Sequence, residues 1–145
     1  MTSPTPSPAI DDLSDPRAIE TRATRLADLL RGHEPSVVLV WETPASIVLG
    51  HIVARELDAA SVRCYDRDGL VAFDGRFPEA GNVALVGVSL GRTEHVRAMI
   101  ALAEQQGQRV VVAGALTPGD IDAAEEITQR GIAVVTSEPT RNDHV

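Results

Sequence analysis

Apolar residues recur along the chain with two different periods, one typical of helices and one typical of buried strands. Residues 15–32 show the helical period, because four apolar residues fall on one stripe: Ile19, Ala23, Leu26 and Leu30. Asp15 and Pro16 fit an N-cap followed by the first helical position, and Gly32 is typical of a helix end. The pattern predicts a first helix that ends at Gly32.

A continuous apolar run at residues 36–41 is too short and too β-branched for a helix, so it predicts a buried strand. The next segment, Pro44–Leu57, is apolar on nearly every side and predicts an interior helix, in which Gly50 allows a close neighbour. Residues 61–65 and 70–73 are two short predicted strands joined by the turn sequence DRDG, and a loop follows them.

From residue 83 onward, strands and helices alternate regularly. The predicted elements are a strand at 83–86, a helix at 93–106, a strand at 110–113, a helix at 118–130 and a strand at 132–135. Gly107 and Gly131 stop the two helices. Because each strand is apolar throughout, we expect an α/β fold of three layers, a parallel sheet with helices on both faces. Residues 15–145 form one domain after a flexible tail at 1–14, which is rich in Pro, Ser and Thr.

Composition and charge narrow the classes of partner. The net charge of -8 and the scattered positions of the basic residues argue against nucleic acid. The opening residues lack a basic region followed by an apolar one, and no run is long enough to cross a bilayer, so we expect no membrane partner and a cytoplasmic location. The single cysteine, Cys64, provides neither an internal disulfide nor a cysteine-built zinc site, and we expect it to be buried and inert.

All 13 basic residues are arginine. The absence of lysine excludes Schiff-base chemistry, a P-loop lysine and a lysine general base. Arginine still provides planar, permanently charged recognition of phosphate and carboxylate groups. The basic residues therefore favour anion binding over lysine-dependent catalysis.

In a parallel sheet, ligands bind outside the carboxyl ends of the strands. Three loops lie there: WETPAS, GVSLGRT and ALTPGD. In the second, a glycine bend enters a helix whose first amides lack partners, and Thr93 is expected to cap that helix. We expect a phosphate site formed by the bend and the first residues of the helix: Ser89, Gly91, Arg92, Thr93 and Glu94. A plain N-cap turn with glycines for packing is the alternative.

The same bend, GVSLG, also matches the G-x-S-x-G pattern of a hydrolase nucleophile elbow. Asp120 or Asp122, followed by His144, would give the chain order of serine, acid and histidine. Only 54 residues follow Gly91, and no oxyanion-forming segment precedes the bend. A small serine hydrolase is therefore the third hypothesis.

Three longer segments match the motifs of a known family in their order and spacing: VVLVWETPASIVLGHIVAREL, VALVGVSLGRTEHVRAMIAL and QRVVVAGALTPGDIDAAEEITQRGIAVVTS. Together they resemble the type I phosphoribosyltransferases, particularly the orotate branch, over about residues 17–138. The first is similar to that family's diphosphate loop and the helix after it. The second is similar to its strand, phosphate-binding loop and helix with one residue deleted. The third is similar to its closing strand, acidic helix and final strand.

The resemblance implies a role for each motif and shows where this chain departs from the family. The diphosphate loop would be formed by Glu42, Thr43, Pro44, Ala45 and Ser46, in which proline replaces an amide donor. The family's acidic pair, which binds the ribose of phosphoribosyl diphosphate (PRPP) and helps to hold magnesium, is replaced by Val86 and Gly87. The family's catalytic lysines are also missing. We therefore expect no resident metal, with magnesium needed only if the chain is an active transferase.

The leading hypothesis is a phosphoribosyltransferase-like pseudoenzyme that binds a phosphorylated ribose, a nucleotide or PRPP, with transfer of the phosphoribosyl group impaired or lost and no residue assigned as catalytic. An active phosphoribosyltransferase, a glycosyltransferase of divergent specificity, is the second hypothesis. A homodimer is a further expectation, since apolar sheet edges or helices offer contact surfaces. Trp41 is interpreted as filling the core edge or stacking on a base, and His95 as a surface or packing residue.

Overall fold

The computed structural model describes residues 14–137, so most of the predicted tail and His144 lie outside the described residues. The helices in that range are α1 (Pro16–Leu30), α2 (Pro44–Leu57), α3 (Thr93–Gln105) and α4 (Ile121–Gln129), and a 3₁₀ turn at Arg31–His33 follows α1. The strands are β1 (Val37–Trp41), β2 (Ala60–Arg67), β3 (Leu70–Asp74), β4 (Asn82–Gly87), β5 (Arg109–Ala115) and β6 (Ala133–Thr136).

The strands form one six-stranded sheet in the order β3-β2-β1-β4-β5-β6. Every pairing is parallel except that of β2 with β3, which is an antiparallel hairpin. Its two-residue turn places Asp68 and Gly69 at φ 52° and 82°, the left-handed pair that the sequence DRDG favours. The predicted α/β fold is confirmed, with β3 as the one antiparallel strand.

Helices cover both faces of the sheet, and alternate residues of the central strands enter different cores. Val37 and Leu39 of β1 join the core under α3 and α4, whereas Val38 and Val40 join the core under α1 and α2. This double burial explains why the strand is apolar throughout. Within residues 14–137, no helix is both long and apolar enough to cross a bilayer.

Several glycine predictions are confirmed. A Cβ at Gly50 would overlap the Val40 side chain, so α2 packs on β1 closely enough to require glycine. Gly107 and Gly131 adopt φ 75° and 78° just after α3 and α4 and act as the expected stops.

One helix ends in a different backbone conformation from the one predicted, and the predicted start of another is wrong. Gly32 does not end α1 in a left-handed conformation, since the chain continues into the 3₁₀ turn and Glu34 takes the positive φ of 54°. The last helix begins at Ile121 rather than at residue 118, because the Asp120 carboxylate caps it by accepting from the Asp122 amide at 2.9 Å.

Candidate functional site

Three loops meet at the carboxyl edge of the sheet, around the backbone of Val88. Its amide donates to Ser46 Oγ at 3.3 Å, and its carbonyl accepts from the amides of Leu116 and Thr117 at 3.1 Å each. The loops after β1, β4 and β5 are thus bound to one another, as the sequence predicted from their positions. The strand order reverses between β1 and β4, which is where ligands bind in open α/β sheets.

The loop after β1 leaves few amide donors for a ligand. Thr43 caps α2, because its Oγ1 accepts from the Ser46 amide at 3.3 Å, and Pro44 at the first helical position has no amide hydrogen. The Glu42 amide donates to Cys64 O, and the Thr43 amide donates to Trp41 O, both at 2.8 Å. Of the predicted diphosphate loop, only Ala45 keeps a backbone N–H with no acceptor in the described part of the chain.

The loop after β4, by contrast, leaves several amide donors open to a ligand. Helix α3 begins at Thr93 with Arg92 as its N-cap residue, and no side chain caps it. The prediction that Thr93 is the cap is therefore wrong: Arg92 has the extended backbone of an N-cap, at φ -90° and ψ 146°, and its carbonyl accepts from Val96. The backbone N–H groups of residues 91–94 donate to no acceptor within residues 14–137.

The other three α-helices between residues 14 and 137 all have side-chain caps. Asp15 caps α1, Thr43 caps α2 and Asp120 caps α4. A helix start without a cap exposes several amides together with the positive end of the helix dipole. The start of α3 is thus the place on this edge that is best able to accept an anion.

The side chains at the start of α3 include one positive and one negative group. Arg92 and Glu94 form an ion pair at 3.5 Å, with 70% and 68% of their side chains exposed. A pair this exposed contributes little stability, so the guanidinium can turn to a ligand at small cost. The Glu94 carboxylate opposes an anion, and its backbone amide is the part of that residue suited to bind one.

A cavity of about 310 Å³ opens under this bend. Its wall is mostly apolar and comes from β4, α3, β5 and α4, with Leu85, Val96, Met99, Ala113 and Ile127 as main contributors. Ser46, Ser89, Arg92 and His95 supply polar groups to the same wall. The predicted phosphate residues Ser89, Gly91 and Arg92 therefore lie on one cavity.

Trp41 and His95 form part of that wall as a stacked pair. Their ring centroids are 3.9 Å apart and their planes differ by 8°. Burial, followed by the nearby Arg92 charge, lowers the pKa of His95 below its usual value, while Glu94 and Asp66 oppose this shift. From the sequence, Trp41 is expected to fill the core edge or stack on a base, and His95 to be a surface or packing residue. No local motif indicates that β1 and α3 bring the two rings together.

Of the two residues that stand where the resemblance places an acidic pair, Gly87 has no room for a side chain. Val86 is buried, and a Cβ at Gly87 would lie 2.5 Å from Ser89 O. The shortened loop folds its own carbonyl over Gly87, so no side chain fits there. Glu42, the nearest acidic candidate in the neighbouring loop, pairs with Arg63 at 3.4 Å.

Metal donors are also sparse at this edge among the described residues. Within residues 14–137, no cluster of three or more His, Cys, Asp or Glu side chains is placed to hold a metal ion. Magnesium is usually held by one or two carboxylates together with substrate phosphates, and no carboxylate among the described residues lines the cavity. Burial raises the pKa of Cys64 to about 12, which agrees with an inert buried thiol.

The features of a nucleophile elbow are absent at Ser89. The non-glycine residues with positive φ in the described range are Glu34, Asp58 and Asp68, so Ser89 lacks the strained backbone that exposes a nucleophile. Its hydroxyl makes no hydrogen bond to another side chain of residues 14–137, and the Asp120 carboxylate is used as a helix cap.

No protein-family model and no curated protein matches the chain. Solved structures do match its fold. The orotate phosphoribosyltransferase of Aeropyrum pernix has a TM-score of 0.69 and 19% identity, over 86% of this chain and 74% of that one. The adenine phosphoribosyltransferase of Trypanosoma brucei, solved with AMP, pyrophosphate and ribose-5-phosphate, has a TM-score of 0.67 and 13% identity, over 88% of this chain and 69% of that one.

The UMP synthase of Leishmania donovani has a TM-score of 0.68 and 18% identity. The match covers 85% of this chain but spans only 28% of that protein's length. At these identities the likeness shows the fold, and activity has to be argued from the site itself.

Proposed function

We propose that this chain, which has the type I phosphoribosyltransferase fold, binds a phosphorylated small molecule such as a nucleotide or a ribose phosphate, and that its ability to transfer phosphoribosyl groups is impaired or lost. The observation that carries the proposal is the uncapped start of α3, where the amides of residues 91–94 have no acceptor in the described range. Gly91 and Arg92 also line the cavity, whereas Thr93 and Glu94 do not.

The geometry supports phosphate in particular. Several amides at one helix start, with the helix dipole behind them, bind a compact anion through multiple hydrogen bonds. The Ser89 and Thr93 hydroxyls add donors, and the exposed Arg92 guanidinium adds a charge-assisted one. One solved protein of this fold contains AMP, pyrophosphate and ribose-5-phosphate, which fits a ligand of this class.

The loss of phosphoribosyl transfer is inferred from the residues that stand where PRPP would bind. Departure of diphosphate builds positive charge on the ribose, which enzymes of this type stabilise by electrostatics. Gly87 leaves no space for a carboxylate, and the chain contains no lysine. The loop after β1 has a proline and mostly occupied amides where diphosphate would bind.

The experiment compares two substitutions at one residue. Thr93→Ala removes the hydroxyl and keeps the amide, whereas Thr93→Pro removes both. Proline suits the first helical position, and Arg92 already has the extended backbone that precedes a proline, so the fold tolerates the change. Calorimetry with AMP, PRPP and inorganic phosphate should show weaker binding to Thr93→Pro than to Thr93→Ala.

Two results would count against the proposal. Equal affinity of the two variants would show that the Thr93 amide does not contact the ligand. Absence of binding by the unaltered protein at millimolar ligand would leave the bend with a structural role. Release of diphosphate from PRPP in the presence of a base would instead favour an active transferase.

A further inference from the structure

The cavity beneath the bend is mostly apolar inside, whereas its opening at the start of α3 is polar. Gly91 and Arg92 line it at the start of α3, and Met99 lines it about two turns further along that helix. On the other side, Ala113 and Ile127 are completely buried. The space therefore extends from the amides into the apolar layer between the sheet and its helices.

The cavity offers few free acceptors for the O–H groups of a sugar. Ser46 Oγ already accepts from the Val88 amide at 3.3 Å, and Thr43 Oγ1 accepts from the Ser46 amide at 3.3 Å. No carboxylate lines the cavity among the described residues, although carboxylates are good acceptors for ribose hydroxyls. Hydroxyl groups placed there would lose water and gain few partners, which is unfavourable.

Its size and lining suit an apolar group. A volume of about 310 Å³ exceeds the roughly 150 Å³ at which an apolar protein cavity binds benzene. The indole of Trp41 and the imidazole of His95, stacked within 8° of parallel, add flat ring surface to the wall. His95 is favoured in its neutral form by its lowered pKa, which keeps this part of the wall uncharged near neutral pH.

We propose that the ligand is a phosphate monoester of a compact apolar group, preferably an aromatic ring, with its phosphate on the α3 amides and its apolar group in the cavity. This inference rests on the proposed function for the phosphate and adds the chemical class of the group that the phosphate carries. It predicts that ribose phosphates, the ligands that the fold alone suggests, bind more weakly than phosphate monoesters of apolar groups.

The test compares two phosphate monoesters of nearly equal charge, with inorganic phosphate and a neutral compound as references. Phenyl phosphate, ribose 5-phosphate and inorganic phosphate are titrated at pH 7.5, with benzyl alcohol as a neutral apolar probe. Trp41 is the single tryptophan of the chain and lines the cavity, so its fluorescence reports binding alongside calorimetry. We expect phenyl phosphate to bind about tenfold or more tightly than ribose 5-phosphate, from burial of the ring.

Two variants fill the cavity from different walls. Ala113→Val adds volume from β5, and Met99→Phe adds it from α3. In either variant the preference for phenyl phosphate should shrink at least severalfold, while affinity for inorganic phosphate stays unchanged and serves as the internal control. If one variant does not fold, the other still decides the question.

The outcomes separate the two proposals. Ribose 5-phosphate binding as tightly as phenyl phosphate overturns the apolar class and leaves phosphate binding intact. Benzyl alcohol binding as tightly as phenyl phosphate shows that phosphate is not recognised, and the proposed function fails. A preference for phenyl phosphate that persists in both filled variants shows that the ring does not enter this cavity and overturns the inference.

Discussion

Helices α2 and α3 start at neighbouring strands of the same sheet edge, yet they present opposite surfaces to an anion. At α2, Thr43 occupies the Ser46 amide and Pro44 removes another donor. At α3, Arg92 provides no cap, and the amides of residues 91–94 have no acceptor in the described range. The resemblance to phosphoribosyltransferases implies that both loops bind parts of one PRPP molecule. In this chain, only the loop before α3 has several amides without an acceptor in the described range.

The difference shows that a fold does not determine which of its loops can bind a ligand. A single cap residue and a single proline decide whether a helix start is satisfied by the protein or open to solvent. The proposed phosphate site, with open amides at α3 and few at α2, therefore favours a monophosphate over a diphosphate. That conclusion depends on residues 43 and 44 as much as on residues 91–94.

Placing an acidic residue at the end of β4 should have the greatest effect. In Gly87→Asp the new Cβ would lie 2.5 Å from Ser89 O, so the bend must move. We expect the free energy of unfolding to fall by about 2–3 kcal/mol, as in other overpacked sites, and phosphate binding to be lost. Urea denaturation and calorimetry measure the two effects.

Gly91→Ala is the matched control in the same loop. A Cβ there meets nothing within 4 Å, and only its φ of 80° is unfavourable, so the cost should be about 1 kcal/mol. If Gly87→Asp is no more destabilising than Gly91→Ala, the acidic pair was not excluded by the shape of the loop.

The two threonines at the starts of α2 and α3 should differ in their contribution to stability. Thr43→Ala removes the cap of α2 and should lower the free energy of unfolding by about 1 kcal/mol. Thr93→Ala should change it by less than about 0.5 kcal/mol, because Thr93 lies inside α3 and caps nothing. Equal losses in denaturant titrations would show that α3 does have a threonine cap and would remove the contrast between the helices.

Adding a cap to α3 should improve stability and reduce binding together. Arg92→Asp places a good N-cap side chain at that position and should raise the free energy of unfolding by about 0.5 kcal/mol, offset in part by repulsion from Glu94. The new carboxylate occupies the amides and repels phosphate. Arg92→Ala, which removes the guanidinium without capping, should retain measurable phosphate binding; its complete loss would show that Arg92, and not the amides, holds the ligand.

The smallest effect is a pH dependence at the stacked pair. Because the folded-state pKa of His95 lies below the usual 6.5, the unfolded chain binds more protons as the pH falls below that value, and stability decreases toward acid. His95→Phe keeps a ring against Trp41 and removes this contribution. Thermal unfolding at pH 5 and pH 7.5 should therefore differ less in His95→Phe than in the unaltered protein; an equal difference would contradict the shift.

Much of the fold could be predicted from the chain because the signals are local. The apolar strand Val37–Trp41 and the glycine stops at residues 107 and 131 each depend on a few neighbouring residues. The start of α4 was misplaced because Pro118 resembles a helix start. In the structure, Gly119 packs against Ser89, where a Cβ would lie 2.7 Å from the Ser89 Cβ, and the helix begins after Asp120.

The site was predictable only in outline. The loop at residues 87–93 was identified from its glycines, but the cap was assigned to Thr93 because threonine is a common cap and arginine is not. The Trp41–His95 stack and the cavity depend on how β1 and α3 pack in three dimensions. Sequence patterns of short range carry no information about such contacts.

The central claim is that the amides at the start of α3 bind a phosphate while those at the start of α2 do not. Backbone amide NMR during a titration with phenyl phosphate tests this directly, residue by residue. We predict large shifts for residues 91–94 and small ones for residues 43, 45 and 46. Shifts that are larger at residues 43–46 than at residues 91–94, or equal at both helix starts, would contradict the account.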